Sequence, residues 1–201
     1  MNRPLRLLAG CLWLAPALLS PAAGAADKGG EDKKARQAAN VDYLSLGAKL
    51  LKDGHLDRAE NALDKVNLGN EDLDRVRYYT VRGLVELKQG DLKPAKRSFY
   101  QAIDAGEVDR VVYVYLAQAH YRLKEYRPTI QAVERAGPAE QGIPSLYAIW
   151  ARSHWQLDEP DRAWAALDAG LGRFPEHYDF LRQQVFYLIE LGLYQKAVAA
   201  G

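Results

Sequence analysis

His120 and His154 are the first residues in this chain to suggest chemistry, because paired imidazoles are a common start to a metal site. Acid–base work would need paired carboxylates, and Glu71-Asp72 and Asp158-Glu159 supply two such pairs. Neither group completes a site. The one cysteine, Cys11, is far from both histidines in sequence, and carboxylates at ligand spacing are missing from the histidines' face. The acidic pairs fall at turns, where negative side chains favour the positive end of the following helix. The chain has no glycine-rich phosphate loop, no G-x-S-x-G elbow and no H-E-x-x-H. The sequence therefore predicts no catalytic residue, no metal ligand and no cofactor, and speaks against an enzyme.

The elements that would carry these residues are helices. In Tyr115 to Ala136, "YLAQAHYRLKEYRPTIQAVERA", apolar residues recur three and four apart, and Lys124-Glu125-Tyr126 breaks the run into two helical segments. The same hairpin returns along the chain, with turn residues at Gly54, Gly90, Lys124, Asp158 and Gly192. By subtraction the steps are 36, 34, 34 and 34 residues. The columns have packing reasons. Gly47, Gly83, Ala117 and Ala151 are small where two helices must approach, with Val185 a larger occupant. Ala59, Ala95, Ala163 and Ala197 do the same on the second helix, where Thr129 departs. Leu63, Phe99, Val133 and Leu167 are the knobs entering that space. Glycine at a turn ends a helix in the left-handed conformation without strain, and Pro160 suits the entry of its helix. His120 and His154 share a column with Leu50, Glu86 and Leu188, so they read as half-buried packing residues with one hydrogen bond each.

Residues 1–25 read differently. Arg3 and Arg6 form a basic start, Leu7 to Leu19 an apolar run too short to span a bilayer comfortably, and Ala23-Gly24-Ala25 a cleavage site. They predict a secretory signal peptide and a periplasmic mature protein. The alternative is a lipoprotein anchored through Cys11, since Leu8-Ala9-Gly10-Cys11 resembles a lipobox; lipidation there would leave an apolar stretch after the cysteine. Cleavage near Ala25 removes the one cysteine, so disulfides and thiolate metal sites are excluded from the mature chain. It also leaves a formal charge of 25 − 26 = −1, with no electrostatic case for nucleic acid or anionic lipid, and no integral membrane span. Residues 26–40 are charged, glycine-bearing and nearly free of large apolar side chains, as expected of a flexible leader.

The period and its columns resemble the tetratricopeptide-repeat family over residues 41–201. The units fall at 41–73, 76–108, 110–142, 144–176 and 178–201, the last incomplete. An array of this kind needs a polar element over its end, so further repeats or a partner are expected to cover the fifth unit. The resemblance implies an all-α solenoid of antiparallel helix pairs in a right-handed superhelix, with the first helices lining a concave groove. On that scheme the groove-facing candidates are Thr80, Leu84 and Lys88, then Tyr115, Gln118, Tyr121 and Arg122. The next units add Arg152, Trp155 and Gln156, then Arg182, Gln183 and Phe186. Aromatic anchors and arginine forks are the residue types that dominate protein-binding hot spots. Tyr121 and Trp155 could instead pack between neighbouring units. The paired-lysine and paired-asparagine clamp with which chaperone-binding members hold a peptide's terminal carboxylate is not recognisable.

The expected function is thus a non-enzymatic adaptor that holds a protein or peptide partner of the cell envelope. The stretch from Phe174 to Gly201 is similar to repeat proteins associated with the TonB, ExbB and ExbD systems of proteobacteria, which implies an accessory role in energised transport. The other reading is a scaffold for envelope assembly, secretion or peptidoglycan-acting enzymes.

Overall fold

A computed structural model describes residues 42–138 and 142–200. The signal peptide, the Cys11 anchor and the leader predicted above lie outside them.

The described residues form ten helices and no strand. They pair as α1 (Tyr43–Lys52) with α2 (Leu56–Leu63), α3 (Arg75–Gln89) with α4 (Leu92–Ala105), and α5 (Arg110–Arg122) with α6 (Tyr126–Ala136). Two further pairs follow: α7 (Pro144–Gln156) with α8 (Pro160–Arg173), and α9 (Tyr178–Glu190) with α10 (Tyr194–Ala200). Each second helix packs on the first helix of the next pair, and α1, α3, α5 and α7 also touch in succession. None of these helices is long and apolar enough to cross a membrane.

Short polar signals start the helices. Asp42, Asp74 and Asp109 accept from the backbone N–H of Ser45, Arg77 and Val111, and Pro144 and Pro160 open α7 and α8. Within a pair the small columns receive the knobs. A Cβ on Gly47 would lie 2.9 Å from Leu63, and one on Gly83 2.7 Å from the Phe99 ring. Ala117, Ala151 and Val133 are fully buried. Thr129, the exception among the alanines, is also buried and turns its hydroxyl back to the Glu125 carbonyl at 2.9 Å.

The five turns share one geometry. Gly54, Gly90 and Gly192 have positive φ, and so do Lys124 at 60° and Asp158 at 59°. At each turn a backbone N–H reaches five residues back to close the helix: His55 to Leu50, Asp91 to Glu86, Glu125 to His120, Glu159 to His154 and Leu193 to Leu188, at 2.8–3.0 Å. The column that holds the two histidines is therefore the one whose carbonyls close the turns.

Coverage falls at the last pair. Phe186, Ile189, Tyr194 and Val198 are exposed, Val198 at 82%. Among the described side chains of α10, Ala197 is buried.

Candidate functional site

The histidines are fully explained by packing and the turns. His120 is buried rather than half-buried and makes two side-chain hydrogen bonds rather than one, to the Tyr100 hydroxyl at 3.0 Å and the Glu125 carboxylate at 2.5 Å. His154 is also buried and pairs with Glu159 at 2.6 Å. The partner lies five residues on in both cases, because closing the turn brings the start of the second helix back over the column. Lys96 holds Glu125 at 2.6 Å, and this contact, with the histidine's help, keeps the Glu125 carboxyl below its ordinary range. Burial outweighs the carboxylate's pull on His120 and pushes the imidazole below its usual value. The Glu159 carboxyl is likewise lowered, chiefly by His154. Among the described residues no cluster of histidine, cysteine and carboxylates could hold a metal ion.

A second constellation faces solvent. A pocket of about 250 Å³ lies between the third, fourth and fifth helix pairs. Tyr121 of α5 and Tyr126 of α6 form one side, Arg152, Trp155 and Gln156 of α7 another, and Phe186 and Tyr187 of α9 the third. Trp155 lies flat on Tyr187, with ring centroids 4.0 Å apart and planes at 9°, and edge-on to Phe186. Tyr121 and Tyr126 meet edge to face across the turn that joins their helices.

A polar chain running from half-buried Arg152 to buried Gln183 and Tyr187 fixes the floor. Arg152 Nε donates to Gln183 Oε1 at 3.1 Å. A guanidinium can only donate, so the amide must turn its nitrogen away, and Gln183 Nε2 donates to the Tyr187 hydroxyl at 2.5 Å. Burial pushes the Tyr187 phenol up to about 12, against the opposing effect of the Gln183 hydrogen bond. The phenol is thus neutral throughout the ordinary pH range.

The sequence candidates divide between this pocket and other places. Tyr121, Arg152, Trp155, Gln156 and Phe186 line it. Gln183 is buried beneath, as the link between Arg152 and Tyr187. Tyr115 stacks on Phe99 at 6.0 Å within the central core, and Gln118 is half-buried on α5 outside the pocket lining. Arg122 donates to the Leu87 carbonyl at 3.0 Å in the last turn of α3, where that carbonyl also accepts from the Gly90 N–H. Arg182 pairs with Asp179 at 3.2 Å and lies over Tyr178. Of the three arginines named as groove candidates, Arg152 alone lines the pocket, and Arg122 and Arg182 are held by the partners just named.

Tyr126 and Tyr187 were not foreseen. Tyr126 belongs to the second helix of its pair, away from the first-helix face that lines the groove. Tyr187 had a signal, since one and two repeats earlier its column holds Ser153 and Ala119, and a tyrosine among small residues must displace something.

Stacked antiparallel helix pairs closed by a repeated left-handed turn define the class: the fold is that of a tetratricopeptide-repeat solenoid. Among solved structures, YrrB, described as a tetratricopeptide-repeat protein with an unusual peptide-binding site, matches at a TM-score of 0.69 and 18% identity. That match covers 87% of this chain and 89% of YrrB. MamA MSR-1 C2 matches at 0.69 and 16%, covering 79% of this chain and 90% of that one. Another MamA structure, from AMB-1, matches at 0.70 and 17%, covering 80% and 94%. No family model matches the chain, and no curated protein does.

Proposed function

We propose that this chain is a non-enzymatic periplasmic adaptor that holds a segment of another envelope protein in the pocket between its third, fourth and fifth helix pairs. The observation that carries the reading is the pocket itself: five aromatic rings and one guanidinium, contributed by three successive pairs and open to solvent. Aromatic and arginine side chains in one desolvated pocket are what concentrates binding energy in protein interfaces. YrrB offers a precedent for peptide binding on this fold. The periplasmic location is supported by the basic start, short apolar run and Ala23-Gly24-Ala25 site of residues 1–25. A place beside a TonB-dependent transport system is supported by the likeness of the stretch from Phe174 to Gly201.

Trp155 is a poor probe of this reading, because its stack on Tyr187 also joins two helix pairs. Phe186 and Gln156 are exposed and better suited. A photo-crosslinking residue placed at either position in living cells should capture the same envelope protein, and Arg152→Ala should diminish the product. The control is Tyr100, exposed on α4 and outside the pocket lining. Indistinguishable products from all three positions would refute a pocket-directed partner.

A further inference from the structure

The pocket's lining also specifies what it can hold. At about 250 Å³ it is smaller than the roughly 300–1,000 Å³ typical of sites for drug-sized molecules, and suits a single side chain. Its walls are rings, so that side chain is apolar. A cationic occupant, which an aromatic cage would otherwise suit, is disfavoured because the lining already holds Arg152. No carboxylate is among the lining residues. Arg152 commits only its Nε–H, to Gln183, and among the described residues neither Nη group meets a protein acceptor. Half-buried and fixed at Nε, the guanidinium keeps a planar fork of donors that matches a carboxylate.

Building on the adaptor reading, we propose that the pocket takes one apolar side chain of an extended partner segment, with the carboxylate of an adjacent aspartate or glutamate paired to Arg152. The exposed Gln156 and Phe186 leave the pocket open at its rim, so that a chain can run on past it. An internal acidic residue therefore fits better than a chain terminus. The role of the Arg152–Gln183–Tyr187 chain is to hold the fork still before the ligand arrives, which reduces the cost of ordering it.

The test uses the full chain, nitrogen-15 labelled, titrated with the capped peptide acetyl-Gly-Ser-Phe-Asp-Ser-Gly-amide. The comparison peptides replace its Asp by Asn, replace its Phe by Ala, or end in Phe with a free terminal carboxylate. The Asp peptide should shift the Trp155 indole N–H resonance and bind roughly tenfold more tightly than the Asn peptide, the order expected of a hydrogen-bonded charge pair. Arg152→Gln should abolish that difference while leaving the weaker Asn binding in place, and Arg152→Lys should restore part of it. Equal binding of the Asp and Asn peptides, with Trp155 shifted by both, overturns the carboxylate while leaving a partner-binding pocket. Tightest binding by the free-carboxylate peptide overturns the internal-residue assignment. If no peptide moves Trp155 the ligand class is wrong, and if crosslinking at Phe186 is also unselective the adaptor reading falls with it.

Discussion

Replacing Tyr187 by Phe removes one oxygen and leaves everything else in place, which makes it the sharpest probe of the pocket floor. The ring keeps its stack on Trp155 at 4.0 Å, so apolar packing between the fourth and fifth pairs is unchanged. What is lost is the acceptor for Gln183 Nε2, on a side chain only 5% exposed. The amide cannot rotate to recover, because its oxygen is held by Arg152. A buried donor left without a partner costs about 1–3 kcal/mol. The low end applies, because the variant also spares the desolvation of a phenolic hydroxyl, so the expected loss is about 1 kcal/mol. In a domain of this size that lowers the melting temperature by roughly 2–4 °C. Urea unfolding at constant m-value would measure it, and a cycle with Gln183→Leu should show a coupling of about 0.5–1.5 kcal/mol. A Tyr187→Phe variant as stable as the parent, or strictly additive with Gln183→Leu, would show that the hydrogen bond does not order the floor.

Three further expectations concern the array. Lys124 and Asp158 hold left-handed backbone that glycine occupies in the other turns, and both are exposed without side-chain hydrogen bonds, so Lys124→Gly and Asp158→Gly should each stabilise by about 0.5–1 kcal/mol in thermal melts once unfolded-state entropy offsets part of the relieved strain. His120 and Glu125 both have depressed values in the folded chain, so the unfolded chain binds more protons on acidification. Their contribution to stability is full above the ordinary histidine value of 6.5, declines as pH falls below it, and declines again below 4.5 as Glu125 protonates. The urea midpoint should therefore drop between pH 7.5 and 5.5, and His120→Gln should flatten that slope; a midpoint that rises on acidification contradicts the assignment. Hydrogen exchange should find α10 the least protected of the ten helices, given how little of it is covered, and protection there equal to that of α5 would argue otherwise.

The fold was legible because each repeat states the same constraints in the same order. Gly83 beside Phe99 and Thr129 among the alanines differ in detail, yet both fit one helix-pair geometry. Lys124 and Asp158 could be placed at turns by spacing alone, although neither is glycine, since the closure from Glu125 to His120 and from Glu159 to His154 imposes positive φ there. The pocket was legible only where a residue's helix face determines its surroundings, as for Trp155 and Phe186. Long side chains escape that rule. Arg122 reaches a carbonyl 35 residues earlier, and Arg182 prefers a carboxylate one turn away. Tyr126 entered from the second helix of its pair, where the first-helix face gives no information.

The pocket takes one of its walls, Phe186 and Tyr187, from the helix pair whose outer side is least covered. Occupancy of the pocket and attachment of that pair are therefore one equilibrium. Whatever fills the space must first find the fifth unit seated, and once bound it holds the unit there. At a concentration a hundredfold above its dissociation constant, a ligand that needs the seated form would favour it by about 2.7 kcal/mol. Anything that loosens α9 should weaken the ligand by the same factor, even without touching it. The fifth pair would then act as a latch that a bound segment closes.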